Sequence, residues 1–203
     1  MRVLVVFNHP YERSYCNSIL DSIKEGLEEA KHEFDLIHLD NDNFDPVMRS
    51  KDLQAFAIAR NEPDKAYKLL DPQVLEYKQR IERAEHIVFV FPIWWELMPA
   101  LMKGFIDKLV FPGIAYEYSG GGTGMSCTLT KLKGVTMITT MNTPSIAYKL
   151  LFGNAIKKAL LMGTFWKIGV KKREWINLTN VKGVSNNKRQ QWLSSIQTKF
   201  AEL

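Results

Sequence analysis

Two rhythms alternate along this chain: short apolar runs of strand length, and longer stretches whose apolar residues recur every three or four positions. The first run is Val3-Leu4-Val5-Val6-Phe7, which predicts a buried strand over 2–7. After the polar loop 8–13, Ser14 can cap a helix whose apolar positions are Cys16, Ile19, Leu20, Ile23, Leu27 and Ala30. Residues 33–39 alternate in polarity, as a half-exposed edge strand does. Residues 41–71 are polar, interrupted by Pro46 and Pro63, with one short helix expected near 51–60. Asp71-Pro72 supplies an N-cap and a first-turn proline for a helix ending near Ala84. A third strand covers 86–91, and a helix opens at Pro99. Residues 111–132 read as a long insertion carrying Tyr116, Tyr118 and Gly120-Gly121-Gly122. The pattern then predicts a fourth strand at 135–140, a loop at 141–149, a helix at 150–162, a fifth strand at 174–179 and a closing helix at 188–202.

Strands alternating with helices imply a parallel sheet covered on both faces. Five strands in 203 residues fit one α/β domain, a doubly wound sheet of flavodoxin-like order 2-1-3-4-5. The dinucleotide-binding alternative is weakened because no Gly-x-Gly-x-x-Gly follows the first strand. Composition adds little to this picture: 46% hydrophobic and 24% charged residues are ordinary for a globular chain. The net charge of +5 favours anionic ligands such as nucleotides, and no nucleic-acid motif accompanies it. No apolar run is long enough to span a membrane, and the N-terminus reads as a strand rather than a secretory leader. Cys16 and Cys127 form no CxxC, so neither a disulfide framework nor a zinc site is expected, and a cytoplasmic location fits.

In a sheet of this order the loops after strands one, three and four meet at one crevice. The first runs from Asn8 to Asn17 and ends at a helix N-terminus, where free amides favour a phosphate. His9, Arg13, Ser14 and Asn17 add side-chain donors there. The second, Pro92-Ile93-Trp94-Trp95-Glu96, and the third, from Thr139-Thr140-Met141-Asn142 to Tyr148, offer aromatic faces and backbone amides to a flat heterocycle. Each residue alone has a plainer reading: His9 as a surface histidine, Ser14 as a cap, one of the two tryptophans as packing, the threonines as strand ends. Convergence of three loops outweighs those readings. The glycine triplet lacks the Lys-Ser/Thr pair of a phosphate-binding P-loop. No Gly-x-Ser-x-Gly and no metal-ligand spacing is present, so a bound cofactor must supply hard chemistry.

The chain resembles the NAD(P)H:quinone oxidoreductase family of flavodoxin-like flavoproteins, which includes bacterial modulators of drug activity and ancillary subunits of potassium-efflux systems. The residues that carry the resemblance are His9-Pro10 with Ser14 and Asn17, then Phe91-Pro92-Ile93-Trp94-Trp95, Pro99-Ala100 and Lys103-Gly104. Ile106-Asp107-Lys108, Ala115-Tyr116, Lys133-Gly134 and Thr139-Thr140 continue it over roughly residues 1–155. The resemblance implies that His9, Ser14, Cys16 and Asn17 hold the flavin phosphate and ribityl chain. It implies that Pro92, Ile93 and Trp95 line the isoalloxazine, that Thr139, Thr140, Met141 and Asn142 close its pyrimidine edge, and that Tyr148 stands near the substrate. FMN is the expected flavin, with FAD as the alternative if Tyr15 stacks on an adenine.

Three departures stand out. The family's Gly-Gly after the threonine pair is Met141-Asn142 here. A catalytic histidine six residues after the tyrosine in animal members is Asn154 here, which cannot shuttle a proton near neutral pH. Glu96 stands where an aromatic residue is common. The resemblance implies NAD(P)H as hydride donor, a quinone-like acceptor, ping-pong kinetics and a homodimer in which residues 112–126 reach the partner. A flavin-binding regulatory subunit of a potassium-efflux system is the rival, and a one-electron flavodoxin a weaker one.

Overall fold

The computed structural model describes residues 1–119 and 124–203, so the glycine triplet lies outside the described residues. Five strands form one sheet: β1 (Arg2–Phe7), β2 (Glu33–His38), β3 (His86–Pro92), then, beyond a two-stranded hairpin of β4 (Tyr116–Ser119) and β5 (Gly124–Cys127), β6 (Gly134–Thr140) and β7 (Lys172–Leu178). The spatial order is β2-β1-β3-β6-β7, and every pairing in it is parallel. Counted by sheet strand alone this is 2-1-3-4-5, as the sequence predicts.

The period of two along β1 divides the core. Val3, Val5 and Phe7 face α1 (Tyr15–Glu29) and α7 (Asn186–Ala201), meeting Ile19, Ile23, Leu27, Ile196 and Phe200. Leu4 and Val6 face the other layer: α2 (Ser50–Ile58), α3 (Pro63–Tyr67), α4 (Pro72–Arg83), α5 (Ala100–Leu109) and a π-helical segment (Lys157–Trp166). Each fully buried aliphatic or aromatic side chain in these two layers contributes about 1.5–3 kcal/mol relative to exposure. Among the described residues no helix is long and apolar enough to cross a membrane.

Three expectations need correction. Residues 41–71 hold two short helices, α2 and α3, where one was expected. The insertion at 111–132 holds an antiparallel hairpin pairing Tyr116 with Cys127 and Tyr118 with Met125. The helix expected at 150–162 does not form as one piece. A short helix, α6 (Ser145–Leu150), occupies the expected loop, and the chain restarts as the π-helical segment. Between them Gly153 and Asn154 take left-handed φ of 61° and 54°, which ends the first helix.

Candidate functional site

The strand order reverses between β1 and β3, so the crevice lies at their carboxyl ends. The three loops expected to converge are tied together there. Asn8 N–H donates to the Val90 carbonyl at 3.0 Å, and Ile93 N–H donates to the Thr140 carbonyl at 2.8 Å. The Thr140 hydroxyl and the Cys16 thiol share a hydrogen bond at 3.3 Å, joining the third loop to the start of α1. His9 meets Trp94 edge-on with ring centroids 6.1 Å apart.

The first loop gathers groups that could hold an anion. Ser14 caps α1, accepting from the Asn17 amide at 3.3 Å and the Asn17 side-chain amide at 3.0 Å, which leaves its hydroxyl proton free to donate. Asn17 also donates to the Tyr11 carbonyl at 3.0 Å, so it closes the loop rather than facing out. The first-turn amides of Tyr15 and Cys16 have no partner within the helix and carry the positive end of its dipole. Burial lowers the His9 pKa, against the pull of Asp40, so the ring is neutral near pH 7. The Tyr11 amide donates to His9 Nδ1 at 3.1 Å, which leaves Nε2–H as an outward donor. Arg13 is exposed at the loop's rim. Cys16 is buried, its thiol pushed up to about 11 by desolvation, so it packs and does not react.

The second loop is an unusual turn. Trp94 and Leu97 exchange backbone hydrogen bonds at 2.9 and 3.1 Å, making a two-residue hairpin with φ of 50° at Trp95 and 65° at Glu96. Such primed turns favour Asn-Gly, and each bulky left-handed residue costs of order 1–3 kcal/mol. Two bonds to the third loop hold it: Tyr148 hydroxyl donates to the Glu96 carbonyl at 2.9 Å, and Thr143 hydroxyl donates to Glu96 Oε1 at 3.1 Å. Pro92 and Ile93 are buried beneath, Trp94 is half exposed, and Trp95 is 98% exposed. An indole held wholly in solvent by a strained turn at a crevice mouth is available for stacking on a flat ligand.

The third loop divides its residues. Thr139 and Thr140 point to opposite faces of β6. Thr140 faces the first loop, whereas the Thr139 hydroxyl donates to Asn177 Oδ1 at 2.9 Å and accepts from the Trp175 indole at 2.8 Å, away from the crevice. Met141 N–H donates to the Leu178 carbonyl at 3.0 Å, and its buried side chain lies against Asn177. The replacement of a small residue at Met141 therefore does not fill the crevice. Asn142 is exposed, and its side chain accepts from the Lys182 amide at 3.2 Å. The structure does not bring the Tyr148 hydroxyl to the open face: the side chain is buried, and besides donating to Glu96 it accepts from the Ile156 amide at 3.0 Å. Asn154 N–H donates to the Tyr148 carbonyl at 3.1 Å, so this residue caps the turn behind the tyrosine.

The sequence places Asn8 at the start of the first loop but assigns no role to it or to Asp40. Asn8 is buried after β1 and donates to Asp40 at 2.9 Å, and its Oδ1 has no partner among the described residues. The available signal was a polar residue directly following each of the first two strands' apolar runs. An anion cradle, an exposed indole and an orphaned buried acceptor together fit a phosphate-bearing flat heterocycle such as a flavin.

The Flavodoxin_2 family, described by its flavodoxin-like fold, matches residues 1–200. An uncharacterized NAD(P)H oxidoreductase of Escherichia coli is 30% identical over 68% of this chain and 64% of its own length. One from Haemophilus influenzae is 27% identical over 86% and 82%. The quinone-type NAD(P)H dehydrogenase 1 of Cavia porcellus is 26% identical over 58% and 46%. The matches thus span 64% or less of the first three curated relatives' length. Among solved structures, a Streptococcus mutans protein is 27% identical over both complete chains with a TM-score of 0.84. The NAD(P)H:quinone oxidoreductase of Methanothermobacter marburgensis reaches 0.85 at 22% identity, covering 99% and 98%. An FMN-dependent NADH-azoreductase of Bacillus anthracis, solved with FMN, reaches 0.76 at 16%, covering 100% and 98%. These last two likenesses speak for the fold alone. By its sequence match and its sheet order, the chain belongs to the flavodoxin-like family in which NAD(P)H oxidoreductases are its relatives.

Proposed function

We propose that this chain is a flavin-dependent NAD(P)H oxidoreductase that passes two electrons to a quinone-like acceptor. The observation that carries this reading is the crevice itself: an anion cradle on the first loop opposite an exposed indole on the second, in a chain whose relatives are NAD(P)H oxidoreductases. A bound flavin would supply the hydride acceptance at its N5 and the onward transfer of two electrons. The Ser14 hydroxyl, His9 Nε2–H, Arg13 and the amides of Tyr15 and Cys16 would hold its phosphate. Pro92, Ile93, Trp94 and Trp95 would bound the ring, with Thr140 and Asn142 at its edge. FMN suits the site better than FAD. Tyr15, the residue that would stack on an adenine, is tied by its hydroxyl to the Arg189 carbonyl at 2.8 Å and leans on Trp192. One open face would serve donor and acceptor in turn. Initial rates with NADH or NADPH and menadione should give parallel double-reciprocal lines. Absence of turnover with either donor contradicts the oxidoreductase reading, and intersecting lines contradict the shared face.

A homodimer completes this reading. Ile146, Leu150, Leu151, Phe152 and Trp166 are large, apolar and exposed on the elements beside the third loop. Monomers seldom leave so much apolar surface uncovered. Sedimentation velocity should show a dimer that Leu151→Glu converts to monomer, and a wild-type monomer at micromolar concentration would contradict it. Both cysteines are free thiols, in keeping with a reducing compartment such as the cytoplasm.

A further inference from the structure

We propose that Glu96 makes the mouth of this crevice selective for organic cations, so that planar cationic acceptors are bound in preference to anionic ones of similar size. The inference rests on the reading of the crevice as the acceptor site. Its starting point is an unmatched carboxylate. Glu96 Oε1 accepts from the Thr143 hydroxyl at 3.1 Å, while Oε2 is buried and has no hydrogen-bond partner among the described residues. Glu96 enters none of the ion pairs formed among the described residues, and Lys149, the nearest cation along the third loop and α6, points to solvent. A buried carboxylate oxygen left unpaired costs free energy that a positively charged donor recovers on arrival.

The position of this group is as telling as its charge. Its backbone is held in the left-handed region by the turn and by the bond from Tyr148, and the Thr143 hydroxyl ties its carboxylate to the third loop. The adjacent residue is Trp95, whose indole is fully exposed. Glu96 directly follows Trp95 in the chain, so its unpaired carboxylate oxygen would draw a flat organic cation onto the ring that Trp95 bounds, by charge attraction. A neutral quinone gains only stacking there, and an anionic acceptor meets repulsion.

The test is isothermal titration of the purified holoprotein at low salt with two planar tricycles, N-methylacridinium as cation and anthraquinone-2-sulfonate as anion. The cation should bind about tenfold more tightly, and Glu96→Gln, which keeps the acceptor for Thr143, should abolish that preference. An equal affinity in the wild type overturns the inference without recourse to any variant, and so does a preference that survives in Glu96→Gln. Turnover of methylene blue and of dichlorophenolindophenol with NAD(P)H separates the two layers of the account. Reduction of both dyes with no charge preference in binding sinks the role of Glu96 and leaves the oxidoreductase standing. A charge preference with no reduction of either dye supports Glu96 and sinks the oxidoreductase.

Discussion

Tyr148→Ala should destabilise the protein by about 3–5 kcal/mol, the scale of truncating a buried aromatic residue. Tyr148 is fully buried and joins the strained Trp95–Glu96 turn to the segment leading into the π-helix. The informative companion is Tyr148→Phe. It keeps the volume but leaves the Glu96 carbonyl and the Ile156 amide unpaired, at about 1–3 kcal/mol for each buried group. Chemical denaturation should therefore show a lower midpoint, with flavin affinity falling as the turn loosens. An unchanged midpoint combined with a rate loss of about a hundredfold at saturating substrate would instead return Tyr148 to the role of a proton-transfer residue.

Gly104→Ala should also lower stability, although alanine is ordinarily better than glycine inside a helix by about 1 kcal/mol. A Cβ at Gly104 would lie 2.3 Å from the backbone of Pro46, where the loop before α2 crosses α5. Because α5 follows the tryptophan turn, displacement here shifts the second loop as well. Overpacking of this kind costs roughly 1–3 kcal/mol, so a net loss of several degrees in melting temperature is expected for a chain of this size. A raised melting temperature would show that the Pro46 loop moves aside freely.

The parts of the fold legible in the sequence were those governed by one strong periodicity. Val3–Phe7 and Ile87–Phe91 are continuous apolar runs and form β1 and β3, two of the three interior strands. The Ser14 cap and the apolar stripe from Cys16 to Leu27 gave α1 almost to the residue. Where two signals competed, periodicity misled. Leu150, Leu151, Ile156, Leu160 and Leu161 suggested one helix, but Gly153-Asn154 is a helix-stop signal, and the left-handed pair divides the segment. The i→i+5 bonding of a π-helix also departs from the 3.6-residue period used to find helices.

The site was legible as three loops, not as individual roles. That Thr139 turns away while Thr140 turns inward follows from strand pleating, but which face is which depended on the neighbours Trp175 and Cys16. The Trp95–Glu96 turn could not be foreseen, because neither residue favours positive φ and the contacts that hold it come from Thr143 and Tyr148, about fifty positions away. For the same reason Tyr148, expected beside the substrate, is a buried clamp.

The central claim is that this crevice binds one flavin per chain, and a thermal titration of flavin-stripped protein with FMN tests it most directly. Saturation should occur at one equivalent. FMN at about a hundred times its dissociation constant should add roughly 2.7 kcal/mol of stability, with the gain much reduced in Ser14→Ala and Trp95→Ala. A melting curve unmoved by excess FMN and by excess FAD would contradict it.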